Sequence, residues 1–381
     1  MKEKSAEPIF NPVPKPIVLI VLDGWGVGDP FAGNAIALAN TPNMDNFILH
    51  YPSTTLAASG EAVGLPWGEE GNSEVGHLNL GLGRIVYQEM PRINKAITDG
   101  SFYQNSVLQE AIRHIKTNNS ALHLVGLASN GGVHSSIDHL YALLSFAAMN
   151  KLDKVYLHII LDGRDTAYNA GLSFVQSLMG VFKEKGVGEI ATIAGRFYAM
   201  DRNNNWDRTQ KAYLAMVAGA GNRANDPLSA IEKSYKKRIY DEEFVPTVIE
   251  KNGQPVALVQ EGDAVIFFNF RADRARQLTK AFVLPNFNYF ERPFLKNLFF
   301  ATFTEYEKGL PVKIIFPPEQ YINGLGEVLS KNNLRQLRIA ETEKYAHVTY
   351  FFNGGREEPF EGEDHILIPS PNVSSYDQKP E

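Results

Sequence analysis

Short apolar runs alternate along the chain with longer amphipathic stretches. The first run, residues 17–22 (IVLIVL), is continuous and of strand length, the pattern of a strand buried on both faces. Leu122–Leu127, Val155–Leu161, 190–194 and 264–268 repeat that pattern. Between them lie helical periodicities over 107–116, Ile137–Met149, 172–185 and 208–217. Thr41-Pro42 reads as the N-cap and first position of a further helix ending near His50. Strands separated by helices of this size predict right-handed crossovers and an α/β fold with a mostly parallel sheet.

Punctuation suggests the boundaries. Residues 81–86 look like a turn into a new segment, and Phe316-Pro317-Pro318-Glu319 is a stiff stretch that excludes helix. These points bracket 87–317 as one domain. Residues 1–15 are polar and proline-rich, and read as a flexible tail without the apolar core of a secretory signal. Residues 371–381 show no core pattern, and the chain has no internal repeat.

Composition narrows the choices. At about 100–200 residues per domain, 381 residues predict two or three domains. No residue is cysteine, so disulfides, thiolate-bound zinc, iron–sulfur clusters and thiol nucleophiles are excluded. Any metal must take Asp, Glu, His or hydroxyl ligands. With 37 Lys+Arg against 43 Asp+Glu the chain is mildly acidic, which argues against broad nucleic-acid binding. No run reaches about 18 apolar residues, so no membrane span is predicted and a cytoplasmic location is the default.

Nearly every strand-like run ends in a polar cluster: Asp23-Gly24 after the first, Ser129 to His134 after 122–127, Asp162-Gly163-Arg164-Asp165 after 155–161, Gly195-Arg196 after 190–194, and Asn269 to Arg274 after 264–268. Ligands of open parallel sheets bind beyond the carboxyl ends of the strands, so these clusters are predicted to face a common cleft or two neighbouring ones. Arg164, Arg196, Arg202, Arg271 and Arg274 lie in or just after these loops, and arginine suits bidentate capture of phosphate or carboxylate. Five of them predict a small substrate with more than one negative charge. The plainer possibility is pairing with sequence neighbours: Arg164 with Asp165, Arg202 with Asp201, Arg274 with Asp273.

Gly71-Asn72-Ser73-Glu74-Val75-Gly76-His77 places Ser73 at a helix N-terminus, where free N–H groups favour a bound phosphate. Ser73 could be a metal-activated nucleophile or one of two candidate N-caps, and His77 a functional or a structural histidine. Asp23 is a hard-oxygen ligand candidate or a turn residue. Asp165 and His134 are candidate acid/base groups with equally plain capping or core readings. Lys344 is either a phosphate-facing cation or a solvated helix residue.

VLDGWG (21–26), GNSEVGHLN (71–79), HSSIDHL (134–140), DGRDT (162–166), AGRFYAMDR (194–202), FNFRADRARQL (268–278) and AETEKYAHVTYFFNGG (340–355) occur in that order. Together they resemble the cofactor-independent (2,3-bisphosphoglycerate-independent) phosphoglycerate mutases of the alkaline phosphatase superfamily, from Pro16 to the end of the chain. The resemblance implies a phosphatase-like parallel-sheet domain over 16–86 and 318–381, with an α/β substrate-binding domain inserted over 87–317. It implies a monomeric isomerase interconverting 3-phosphoglycerate and 2-phosphoglycerate through phosphoserine. Asp23 and Ser73 match manganese ligands, and Ser73 also matches the nucleophile. His134, Arg164, Asp165, Arg196, Arg202, Arg271 and Arg274 match substrate-binding positions. Asp165 matches the acid/base residue for the glycerate hydroxyls, and Lys344 a lysine near the nucleophile.

Two departures stand out. Glu70 replaces a methionine common in the family. Members also continue for about 100 further residues, with Asp and His motifs that complete two Mn²⁺ sites. The expectation is therefore a C-terminally truncated mutase with an incomplete phosphatase-like domain, apolar surface exposed over 17–22, and remaining metal ligands beyond Glu381. Such a chain would bind phosphoglycerate without catalysing turnover. A general phosphatase is disfavoured, because it would not need the arginine-bearing insert.

Overall fold

The structure, a computed structural model, describes residues 16–379; the tail read over 1–15 lies outside them. Nine strands form the main sheet: β1 (Leu122–Leu127), β2 (Val155–Leu161), β3 (Glu189–Gly195), β4 (Asn222–Ala224), β5 (Thr247–Lys251), β6 (Gln254–Pro255), β7 (Ala264–Phe267), β8 (Phe299–Thr302) and β9 (Lys313–Ile314). Their order is β4-β5-β3-β2-β1-β7-β8-β9, with β6 paired to β5. From β3 to β9 every pairing on this path is parallel, whereas β5 runs antiparallel to β3.

The apolar runs become the central strands because helices cover both faces of the sheet. Even-numbered positions Leu122, Leu124, Ile266 and Phe268 enter one core with the helices Ser106–Asn118 and Ile137–Met149. Odd-numbered Val125, Leu127, Val265 and Phe267 enter a second core with Trp206–Ala218 and Arg276–Val283. The period of two thus sorts one apolar run into two cores. Gly126 keeps the first core closed: a Cβ there would lie 2.6 Å from the Phe268 ring.

Residues 17–22 depart from the expected buried strand. They adopt no strand, and Ile17 and Ile20 are 77% and 72% exposed. The local pattern is right for a central strand, but no neighbouring strand pairs with it among the described residues. The apolar exposure expected there is therefore present. A second sheet, β10 (Gln336–Glu341) parallel to β11 (Glu363–Ile368), also leaves Leu337, Ile339, Ile366 and Ile368 exposed.

Two chain segments lie side by side next to the main sheet. Arg84 donates to the Ile322 carbonyl at 3.2 Å, and Arg92 donates to that of Pro317 at 2.8 Å while pairing with Glu319 at 3.2 Å. The proline-rich stretch 316–319 holds no helix or strand. Among the described residues no helix is long and apolar enough to cross a membrane.

Because Leu124 is fully buried on the central strand, Leu124→Ala should lower unfolding stability by about 2–5 kcal/mol. Denaturant unfolding checks this, and a change below about 1 kcal/mol would mean that the core does not close around β1.

Candidate functional site

The sequence candidates gather into two clusters. The first forms at the start of the helix Ser73–Leu82. Asn72 is its N-cap, accepting the Val75 N–H on its side-chain oxygen at 3.0 Å. The Ser73 hydroxyl is thereby free of capping and accepts a hydrogen bond from Lys344 Nζ at 2.8 Å. The same ammonium donates to Asp23 Oδ2 at 2.5 Å. Three residues far apart in sequence thus meet around one cation. Burial works to raise the Asp23 pKa, but the hydrogen bonds from Lys344 and Ser73 outweigh it and hold the carboxyl below its ordinary range. His77 is buried, and its Nδ1–H donates to the Ser73 carbonyl at 2.8 Å, which is the satisfied structural histidine considered above. Sequence reasoning gave no role to His347, whose ring lies 5.5 Å from that of His77.

As a metal site this cluster is thin. Asp23 and Ser73 offer two oxygens, and Lys344 already places a positive charge on both. Among the described residues no group of three or more His, Cys, Asp or Glu is arranged to hold an ion. Two donors facing an ammonium do not make a tight manganese cage, so these residues on their own do not fit the expected metal.

The second cluster lies at the carboxyl ends of β1, β2, β3 and β7. Arg196, at the end of β3, is 3% exposed, and its Nη1 donates to Asp162 Oδ1 and Asp165 Oδ2, both at 2.6 Å. Asp162, at the end of β2, also accepts from the Ser129 hydroxyl at 2.6 Å and from the backbone N–H of Asp165 at 3.0 Å. Burial opposes the Asp162 charge, but these donors prevail and depress its pKa. One carboxylate therefore ties together the loops after β1, β2 and β3.

His134 follows β1. Its carbonyl accepts the Phe270 N–H at 2.9 Å, joining the loop after β1 to that after β7. Its ring sits between two carboxylates, with Nε2 3.9 Å from Asp165 and Nδ1 3.6 Å from Asp273. Asp273 in turn accepts from Arg202 at 2.7 Å and Arg271 at 3.1 Å. Arg164 pairs with Glu242 at 3.0 Å on the exposed side. Arg274 donates to the Met200 carbonyl at 3.3 Å. Burial, and then the nearby charges of Arg202, Arg196 and Arg164, lower the Arg274 pKa, so the guanidinium groups lie within electrostatic reach of one another.

The neighbour pairings considered from sequence do not form. Arg196 takes Asp165. Asp201 anchors its own loop through the N–H groups of Asn203 and Asn205, and Asp273 faces Arg202 and Arg271. Sequence reasoning assigned no role to Asp162 or Glu242, and gave Asp273 only as a partner for Arg274. Position at a strand end flagged Asp162 and Asp273, while nothing local flagged Glu242.

The two clusters share no hydrogen bond or ion pair among the described residues. Chemically, the first offers a hydroxyl beside a cation, and the second offers several guanidinium groups around a small polar centre. Burial, and then the Arg196 charge, depress the His134 pKa to about 4. A histidine whose charged form is disfavoured on folding lends stability that is complete above its free value of 6.5. That stability is lost as pH falls towards about 4. In a proton-NMR titration the His134 ring should accordingly stay neutral at pH 6 and titrate near pH 4. A midpoint close to the ordinary histidine value would contradict the enclosed geometry.

Comparison with known proteins now adds to this geometry. The family described as "BPG-independent PGAM N-terminus (iPGM_N)" matches residues 93–308. A curated protein of Moorella thermoacetica, named 2,3-bisphosphoglycerate-independent phosphoglycerate mutase, is 55% identical over 369 residues, covering 97% of this chain and 72% of its own length. A protein of the same name from Clostridium perfringens is 55% identical over 368 residues, with 96% of this chain and 72% of that protein covered. A solved structure of Leishmania mexicana phosphoglycerate mutase at low cobalt concentration superposes with a TM-score of 0.64 at 30% identity, over 91% of this chain and 66% of that one. The chain belongs to the 2,3-bisphosphoglycerate-independent phosphoglycerate mutases.

Proposed function

We propose that this chain serves the interconversion of 3-phosphoglycerate and 2-phosphoglycerate, with the strand-end cluster as its glycerate-binding half and the Ser73 cluster as its phosphate-accepting half. The observation that carries this reading is the meeting of Arg164, Arg196, Arg202, Arg271 and Arg274 around His134 and Asp165 in a chain of net charge −6. A molecule with a carboxylate and a phosphate gives such a set two anionic groups to hold. In the same proposal, residues 87–317 form the substrate-binding unit, while 16–86 and 318–381 bring Asp23, Ser73 and Lys344.

The chemistry follows from the side chains. Ser73 Oγ passes its proton to the hydrogen-bonded Asp23 carboxylate and attacks the phosphorus, the bond to the glycerate oxygen breaks, and phosphoserine forms. Lys344 stabilises the charge developing on Oγ, assisted by free N–H groups at the helix start. Asp165, carrying a proton in the substrate complex, gives it to the departing glycerate oxygen. The bound glycerate then turns, Asp165 takes a proton from the other hydroxyl as that oxygen recovers the phosphate, and Asp23 returns its proton to the departing Ser73 Oγ. Arg196 orients Asp165 for both transfers. Water must be kept out while phosphoserine exists, which requires the two clusters to close on each other. A manganese ion of the kind the family resemblance implies would use Asp23 and Ser73 as two of its oxygen donors.

The small donor set around Ser73 favours a second reading, in which the 381-residue chain binds phosphoglycerate without turning it over. Assay of the purified chain for 2-phosphoglycerate formation, with and without Mn²⁺, separates the two. Turnover that Ser73→Ala abolishes supports the mutase reading, whereas binding with no turnover supports the second.

Both readings predict that Arg271→Ala weakens calorimetric binding of 3-phosphoglycerate at least about tenfold, or about 1.4 kcal/mol. Its melting temperature should barely move, because Arg271 is half exposed. Unchanged affinity would remove the strand-end cluster from substrate binding.

A further inference from the structure

The ion pairs of the strand-end cluster divide into two kinds. Arg196 and Asp162 have side chains only 3% and 1% exposed, so their pairing is sealed. Arg202 and Arg271 are 45% and 50% exposed, and both lean on the single carboxylate of Asp273, itself 27% exposed. Exposed pairs of this type are worth little in water and exchange readily for another anion. Beside them, His134 Nδ1 is buried and lacks a hydrogen-bond partner, with its nearest carboxylate oxygen, on Asp273, at 3.6 Å. The cluster thus contains two guanidinium groups held by a replaceable anion and a polar atom that no protein group satisfies.

We propose that Asp273 is an internal counter-anion: its carboxylate holds Arg202 and Arg271 until an anionic group of the substrate displaces it, and it reclaims them when that group leaves. This rests on the reading of the cluster as the phosphoglycerate site. Asp273 acts through the two arginines and is a positioning residue. Its exchange suits a reaction in which bound glycerate must turn between two half-reactions. Each time the substrate releases an arginine, a carboxylate is at hand to take it, so the guanidinium is not left uncompensated midway. Burial works to raise the Asp273 pKa, but the Arg202 hydrogen bond and the neighbouring positive charges overcome it and keep the carboxyl ionised at neutral pH.

A counter-anion and a scaffold predict opposite signs. If Asp273 competes with substrate, Asp273→Asn, which keeps the shape and removes the charge, should tighten 3-phosphoglycerate binding by about threefold or more. Binding is measured by calorimetry on the full 381-residue chain. Asp273→Glu, which restores the charge, should return affinity towards wild type. A structural role would move neither in that direction. Should the Asn variant fail to fold, Asp273→Ser makes the same charge change and carries the same expectation. Unchanged or weaker binding in the charge-free variant would overturn the proposal. Arg271→Ala separates the two failures: if it leaves binding intact, the site assignment itself is wrong. If it weakens binding while Asp273→Asn does not strengthen it, only the counter-anion role falls.

Discussion

Arg196 enters the site at the end of β3 and is almost wholly buried, yet one of its nitrogens serves both Asp162 and Asp165 at 2.6 Å. A buried guanidinium is tolerable only when its charge is met, and removing one partner from such a pair costs about 3–5 kcal/mol. The consequences reach across the sheet. Asp162 is fixed by Ser129 from the β1 loop and by backbone N–H groups of its own turn. Asp165 faces His134, and His134 holds the β7 loop through its carbonyl. Three strand ends are thereby tied by charge-assisted hydrogen bonds centred on Arg196, and the backbone bond from Phe270 to His134 adds the fourth.

Around that sealed centre the remaining charges are exposed. Arg164, Arg202 and Arg271 pair with Glu242 and Asp273 at the solvent side, where such pairs are weak. In the proposed reading the rigid charges orient the substrate, and the exchangeable ones let it enter, turn and leave. Ser73 stands apart, prepared by Asn72 as cap and Lys344 as cation. In the proposed reading both clusters act on one phosphoglycerate, which requires them to approach each other. Arg84 and Arg92 bridge to Ile322, Pro317 and Glu319, tying these two stretches of chain together.

Much of this was legible in the sequence, unevenly and for physical reasons. Leu122–Leu127, Val155–Leu161 and Ile137–Met149 match their elements to the residue, because a fully buried strand and an amphipathic helix each impose a local pattern. Residues 17–22 carry the same pattern without forming a strand, since pairing depends on neighbours that no local run specifies. The short strands β4, β6 and β9 were invisible: two or three residues have no periodicity to read. The motifs named the arginines but not their partners. Asp273 reaches Arg202 from 71 positions away, and Glu242 meets Arg164 across 78, distances set by topology alone.

The central claim is that the strand-end cluster holds the substrate, with Arg196 as its fixed point. A crystal structure of this chain soaked with 3-phosphoglycerate tests it most directly. The account predicts ligand density against Arg202, Arg271, Arg274 and His134, with Arg196 still locked between Asp162 and Asp165 and Asp273 turned away from the two arginines it now holds. Density confined to another part of the molecule, with the strand-end ion pairs unchanged, would contradict it.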